Sequence, residues 1–141
     1  MKMKVMLDKG AYMPTRAHND DAGLDLCATK GGWIFPKSRR KFGTGLHVAI
    51  PPYCVGLLTS KSGLMDKKGI QSEGTIDSGY TGEVQAVLFN HSWRFYKVER
   101  GQKITQLVIV PKFNPKLEIV SKLEETERGT GGFGSTGDFA K

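Results

Sequence analysis

Short apolar runs, most of them broken by glycine or proline, are the feature that most limits what this chain can fold into. DAGLDLCA at 21–28 alternates Leu24, Leu26 and Ala28 with Gly23, Asp25 and Cys27, the period-two pattern of a half-buried strand. MKVML (3–7), WIFP (33–36), GLHVAI (45–50), VGLLTS (55–60), VQAVLFN (84–90), RFYKVE (94–99), ITQLVIV (104–110) and LEIV (117–120) predict further strands, with Pro51-Pro52 as a hard turn between two of them. Only LMDKKGI (64–70) reads as helical. Many short strands at close spacing, joined by Gly and Pro turns, predict an all-β sandwich or barrel of jelly-roll type.

A chain of 141 residues is the size of one domain with a core of its own. With 38% hydrophobic and 25% charged residues, neither a disordered nor a membrane protein is indicated. The longest apolar runs, such as LVIV at 107–110, are far too short to span a bilayer, and MKMKVMLDKG lacks the apolar stretch of a signal peptide. Two isolated cysteines, Cys27 and Cys54, make neither a disulfide framework nor a zinc site. A reducing cytoplasm is the expected location.

The net charge of +7 suits a polyanion, and nucleic acid is the first thought. The densest cluster, Lys37-Ser38-Arg39-Arg40-Lys41, has no interleaved aromatics to act as a stacking platform, so it reads as a solvated loop or hairpin tip. No specific nucleic-acid partner is expected, although non-specific contact stays open. The same field attracts nucleoside triphosphates, so charge does not separate the two.

Residues 74–84, GTIDSGYTGEV, are punctuated by Gly74, Gly79 and Gly82 and run into strand-forming residues, which predicts a tight hairpin or strand-edge turn. Asp77 and Tyr80 then sit on a rigid turn. Exposed backbone there can read a flat heterocycle, the ring can pack on a sugar, and the carboxylate can take a proton from water. An ordinary turn, with Asp as turn-former and Tyr as plug, accounts for the same residues. Asp25 falls opposite the Leu face of its strand, where it is either solvated or aimed at the water shell of a metal.

The end of the chain differs. ERGTGGFGSTGDFAK (127–141) carries five glycines and little apolar surface, so it cannot build a core strand. It does offer unhindered N–H groups, the hydroxyls of Ser135 and Thr136, the Arg128 fork and the Phe133 ring, the parts of a phosphate-cradling lid. The expected organisation is a core over 1–126 and an arm over 127–141.

DAGLDLCA (21–28), SKSGLM (60–65), GTIDSGYTGE (74–83), GQKITQL (101–107) and RGTGGFGSTG (128–137) follow one another in this order. Together they resemble the five motifs of the trimeric deoxyuridine triphosphatases (dUTPases), from about residue 3 to residue 137. The resemblance implies a jelly-roll subunit, a homotrimer with active sites at subunit junctions, and a glycine-rich arm closing over a neighbour's pocket. It also implies hydrolysis of dUTP to dUMP and pyrophosphate, by attack at the α-phosphorus with Mg2+ on the triphosphate. Such an activity keeps uracil out of DNA and supplies dUMP for thymidylate synthesis.

By the same resemblance Asp77 is the general base, and Tyr80 lies under the deoxyribose and leaves no room for a 2′-hydroxyl. The backbone of Gly74, Thr75 and Ile76 pairs with the uracil edge. Asp25 holds metal-bound waters, and Ser62 and Gly63 contact the α- and β-phosphates. Gln106 reaches phosphate from an adjacent chain, Arg128, Gly134, Ser135 and Thr136 belong to the arm that grips the β- and γ-phosphates, and Phe133 stacks on uracil. Three positions depart from the pattern. Lys61 stands where arginine precedes the serine, Gln71 where asparagine is common in the uracil pocket, and Lys103 where arginine is frequent. Lys61 is expected to serve the phosphates or the water network as a point charge rather than a fork.

Two rivals share parts of this pattern. A dCTP deaminase has the same fold and trimer and uses a glutamate at the base end of the pocket; Glu83 falls near that strand, where a solvent-facing carboxylate is the plainer reading. A regulatory protein of phage dUTPase type acts by sequestering a partner, but such variants carry an insert for which this chain has little room.

Overall fold

The computed structural model describes residues 2–140 and contains nine strands and one short helix among them. The strands are β1 (Lys4–Leu7), β2 (Gly23–Cys27), β3 (Gly32–Ile34), β4 (Arg39–Ala49), β5 (Cys54–Thr59), β6 (Ile70–Ile76), β7 (Val84–Asn90), β8 (Tyr96–Val98) and β9 (Lys103–Pro111). Helix α1 (Ser62–Lys68) lies between β5 and β6. Seven strands form one antiparallel sheet in the order β1-β4-β7-β6-β5-β9-β2, and β3 and β8 pair as a separate ribbon. This is the all-β, jelly-roll-like architecture expected from the spacing of the runs.

Strand β6 is the corner of the sheet. Its first half pairs with β7, from Ile70↔Asn90 to Ser72↔Leu88, and its second half pairs with β5, from Glu73↔Thr59 to Ile76↔Gly56. A strand that changes partners midway turns the sheet back on itself. One apolar cluster therefore draws on both halves: Leu26, Leu46, Val48, Leu58, Ile76, Val84 and Leu107 are all buried together. A second cluster, with Ile34, Phe42, Ile70, Leu88, Val98 and Ile104, fills the space beneath the β3–β8 ribbon. Gly56 is required where the sheet closes, because a Cβ there would stand 2.8 Å from Leu107 Cδ1 and 2.7 Å from Ile50 Cδ1.

Helix α1 ends on Gly69 in the left-handed conformation (φ 67°), whose N–H bonds back to the Met65 carbonyl at 3.0 Å. The helix therefore begins two residues earlier than LMDKKGI suggested, and β6 takes over at Ile70. The run LEIV at 117–120 forms no strand. Leu117 and Ile119 are fully or nearly fully exposed there, 94% and 100%. Regular structure ends at Pro111, and residues 113–140 lie exposed. An apolar run becomes a strand only when a sheet edge takes up its backbone groups. None does so within this subunit.

Candidate active site

The β6–β7 connection is a strand-edge turn and not a hairpin: Gly74 lies inside β6, and the end of β6 pairs with β5 while β7 opens against β4. Tyr80 N donates to the Asp77 carbonyl at 3.0 Å, closing a four-residue turn over DSGY. Tyr80 Oη donates to the Glu83 carbonyl at 2.9 Å, which pins the ring across the second half of the connection. Gly82 is where that ring passes; a Cβ at 82 would lie 2.8 Å from Tyr80 Cε2. Lys112 Nζ donates to Ser78 Oγ at 2.9 Å and ties the end of β9 to the turn. Glu83 bonds on both sides: Oε1 accepts from Gly45 N at 2.9 Å and Oε2 from Gln85 Nε2 at 2.9 Å. Its carboxylate braces the β4 bulge against β7 and is not a free strand-surface group.

Thr75, Ile76, Asp77 and Tyr80 line one cavity of about 280 Å³, together with Lys41, Glu83 and Gln85. Four of the sequence-predicted residues are thus brought together. Asp77 is exposed and Tyr80 is 45% exposed, so carboxylate and ring both face an incoming molecule. Gly74 lies one residue up β6, opposite Leu58. A larger cleft of about 500 Å³, lined by Asp8, Thr29, Lys30, Arg100 and others, contains none of the predicted residues.

A second group forms where β2, β9 and β5 run side by side. Gln106 is paired with Asp25 on one flank and with Thr59 on the other. Gly23 makes room for the Gln106 amide, since a Cβ there would come within 3.1 Å of its Cδ. Asp25 is neither solvated nor free. Its side chain is 7% exposed, Lys61 Nζ is hydrogen-bonded to Oδ1, and Lys103 Nζ lies 2.9 Å from Oδ2. Burial alone would push this carboxyl up, but the two ammonium groups outweigh it and hold it below the ordinary carboxylate value. Lys103 is raised in turn, first by its hydrogen bond to Asp25. Lys103 thus does more than the minor contact its sequence position suggested.

The segment that carries Lys61 is anchored from below. Ser60 Oγ donates to the Ser72 carbonyl and accepts from Ser72 N, Ser72 Oγ donates to Thr105 Oγ1 at 2.7 Å, and Thr105 Oγ1 donates to the Thr59 carbonyl. Ser62 and Gly63, the first residues of α1, are exposed above this network, and nothing stands within 4 Å of a Cβ built on Gly63. Open backbone N–H groups at such a position suit an anion.

Gln71 lies apart from both groups, its Oε1 2.6 Å from His91 Nε2. The arm residues are also apart. Arg128 Nε donates to the Gly131 carbonyl at 2.9 Å, Ser135 N donates to the Gly132 carbonyl, and Gly134 adopts φ 81°. Phe133 is wholly exposed, and Ser135 and Thr136 are exposed. Lys41, Gln85 and Lys112 were missed by sequence reasoning. No local signal marks them, because strand pairing and the run of chain after β9 bring them to the turn.

The dUTPase family model matches residues 9–137. The chain belongs to the dUTPase family. It is 43% identical over 141 residues to the deoxyuridine 5′-triphosphate nucleotidohydrolase of Gloeothece citriformis, covering 97% of each chain. Its fold matches the dUTPase of Staphylococcus bacteriophage 80alpha bound to dUPNHPP, with a TM-score of 0.92 at 33% identity, over 97% of this chain and 99% of that one. It also matches a mutant dUTPase of S. aureus phage phi11 whose structure shows the coordination of a structural Mg(II) ion, with a TM-score of 0.82 at 29% identity, over 89% and 100% of the two chains.

Proposed function

We propose that this chain is a dUTP diphosphatase that binds the nucleotide against the β6–β7 turn. The observation that carries the reading is the shared cavity of Thr75, Ile76, Asp77 and Tyr80 in a chain of the dUTPase family. At about 280 Å³ it is near the lower end for small-molecule sites, the scale of a base and sugar rather than of a polymer. Backbone groups of Gly74, Thr75 and Ile76 read the uracil edge, and the Tyr80 ring, fixed by its bond to the Glu83 carbonyl, packs under the deoxyribose. A rigid ring there excludes a 2′-hydroxyl by contact.

Asp77 takes the proton of a water that attacks the α-phosphorus. The new P–O bond forms as the bond to the β-phosphate breaks, and pyrophosphate leaves. An exposed carboxylate on a short turn is suited to this because it needs only hydrogen-bond reach to the water. Lys61, Ser62, Gly63 and Gln106 meet the phosphates. Phe133 covers the base, and Arg128, Gly134, Ser135 and Thr136 close over the phosphates, with the arm taken from residues 127–141 and the core from 1–126. The turn cavity, the Asp25 cluster and the arm are separate on one subunit, which fits a homotrimer whose sites draw on several chains.

Among the described residues no three His, Cys, Asp or Glu side chains cluster as a metal cage. Asp25 is a single carboxylate already in contact with two lysines. Mg2+ keeps several of its waters and is commonly carried by substrate phosphates, so it asks for no such cage and only for a carboxylate within reach of its water shell. Asp25 would hold the ion through water, and the ion would supply positive charge against the triphosphate. Cys27 and Cys54 are both unpaired, which suits a reducing, cytoplasmic location. No helix among the described residues is long and apolar enough to cross a membrane.

The test is a panel of dUTP, dTTP, dCTP and UTP with magnesium, read as pyrophosphate release, with ammonia measured for dCTP. Release from dUTP alone is expected. Ammonia from dCTP, or equal rates with UTP, would overturn the reading.

A further inference from the structure

The cluster Lys37-Ser38-Arg39-Arg40 is not isolated from aromatic rings once the chain is folded. Strand β3 pairs with β8, with Trp33 opposite Lys97 and Ile34 opposite Tyr96. Ile34 points into the core, so Trp33 and Phe35 project from the other face. The loop before β8 adds Trp93 and Phe95. All four rings are exposed, from 51% at Trp33 to 81% at Trp93. Segments 33–40 and 91–97 together carry five lysines and arginines and no acidic residue. Lys37 Nζ lies 4.6 Å from the Trp93 ring centre and Lys97 Nζ 5.9 Å from that of Trp33. Trp33, Phe35, Arg39 and Arg40 share a cleft of about 250 Å³. Glu99 meets the patch at Lys97, at 3.1 Å.

The platform is held rigidly from beneath. Asn90, 2% exposed, donates from Nδ2 to the carbonyls of Ile34, Phe35 and Arg94, and its Oδ1 accepts from Ser92 N and Ser92 Oγ. One buried amide therefore joins the two loops. Phe35 and Phe95 meet edge to face at 5.2 Å. Lys37 is the one non-glycine residue among those described with positive φ, 55°, and its Nζ donates to the His91 carbonyl at 2.6 Å. A left-handed lysine costs free energy that an unconstrained loop would shed.

We propose that this aromatic–basic face binds single-stranded nucleic acid without sequence preference. Exposed rings with cations between them match its chemistry: bases stack on the rings while ammonium and guanidinium groups meet the phosphates. The apolar groups exposed here are all aromatic. A lipid-inserting face draws on aliphatic side chains as well, and Trp33, Phe35, Trp93 and Phe95 have no exposed Leu, Ile, Val or Met among them. Duplex DNA hides its base faces, so it would engage the charges and not the rings. The face contains none of the residues assigned to dUTP.

The chain has only two tryptophans, and both are in this patch. Their fluorescence therefore reports the site directly. Labelled oligothymidylate about 20 nucleotides long should quench it and bind with an affinity that falls steeply as salt rises. Duplex of the same length should bind more weakly with little quenching, and excess dUTP should not displace the single strand. Trp93→Ala should weaken binding by about 5- to 150-fold, the range for losing one stacked base, while Trp93→Phe retains most of it. Melting midpoint, oligomeric state and dUTP hydrolysis should be unchanged in both variants. The proposal is overturned by absent quenching at low salt, by displacement with dUTP, or by unaltered affinity in Trp93→Ala. It is equally overturned if Trp93→Ala dissociates the oligomer, or if phosphatidylserine vesicles bind where the oligonucleotide does not.

Discussion

Removing both lysines from Asp25 should be worse than the two single removals together. The Asp25 side chain is 7% exposed, whereas Lys61 is 26% and Lys103 46% exposed. Taking away one partner of a fully buried pair costs about 3–5 kcal/mol, because the other charge stays desolvated. Here either lysine alone leaves Asp25 with a partner, and both are partly in water, so Lys103→Met should cost little and Lys61→Met about 1 kcal/mol. In the double variant the carboxylate has no partner, and the loss should reach about 3 kcal/mol, a coupling within the range found for shared networks. Urea unfolding at one fixed protomer concentration, without nucleotide, measures all three. The acid limb gives an independent check. Asp25 titrates below its ordinary value in the native protein, so its contribution is present above the unfolded pKa and is lost as pH falls through the folded one. With both lysines gone only burial acts, the folded pKa is raised, and the double variant should gain stability on mild acidification. A double-variant cost equal to the sum of the singles, with an unchanged acid limb, would show Asp25 to be solvated and refute the reasoning.

Asp77→Asn should abolish hydrolysis and leave nucleotide affinity within a few-fold, measured by calorimetry with dUTP; full activity would remove Asp77 from its role. Truncation after Glu127 should leave the assembly folded with weak binding and slow turnover, checked by light scattering and pyrophosphate release. His47 bridges the β6–β7 connection and the residue that follows β1, with Nδ1 2.9 Å from the Thr81 carbonyl and Nε2 3.3 Å from Asp8, and it titrates above its ordinary value chiefly through the Thr81 bond. Its contribution is present below the unfolded pKa and lost as pH rises through the folded one, so the melting midpoint should fall more between about pH 6 and pH 8.5 in the native protein than in His47→Gln.

Much of this was legible in the chain. Period-two alternation locates the strand holding Asp25, and the glycines of GTIDSGYTGE place Asp77 and Tyr80 on a turn, because local backbone geometry decides both. What depends on distant partners was not legible. IQSEGTI has few apolar residues and a glycine, yet it is the corner strand, since β5 and β7 each offer an edge to one half of it. LEIV looks like a strand and is not one, for want of an edge in the same subunit. Asp25 falls on the polar side of its strand, and only the fold brings Lys61 and Lys103 to bury it. The basic cluster at 37–41 looked bare because its rings come from β3 and from the loop before β8, which the ribbon alone unites.

The central claim is that the base of dUTP lies against the β6–β7 turn with its α-phosphorus within reach of Asp77. A crystal structure with a non-hydrolysable dUTP mimic and magnesium tests it most directly. The account predicts uracil on the backbone of Gly74 to Ile76, the sugar on the Tyr80 ring, and a water between Asp77 and the α-phosphorus. A base bound anywhere else, or an Asp77 carboxylate turned away from the phosphate chain, would contradict it.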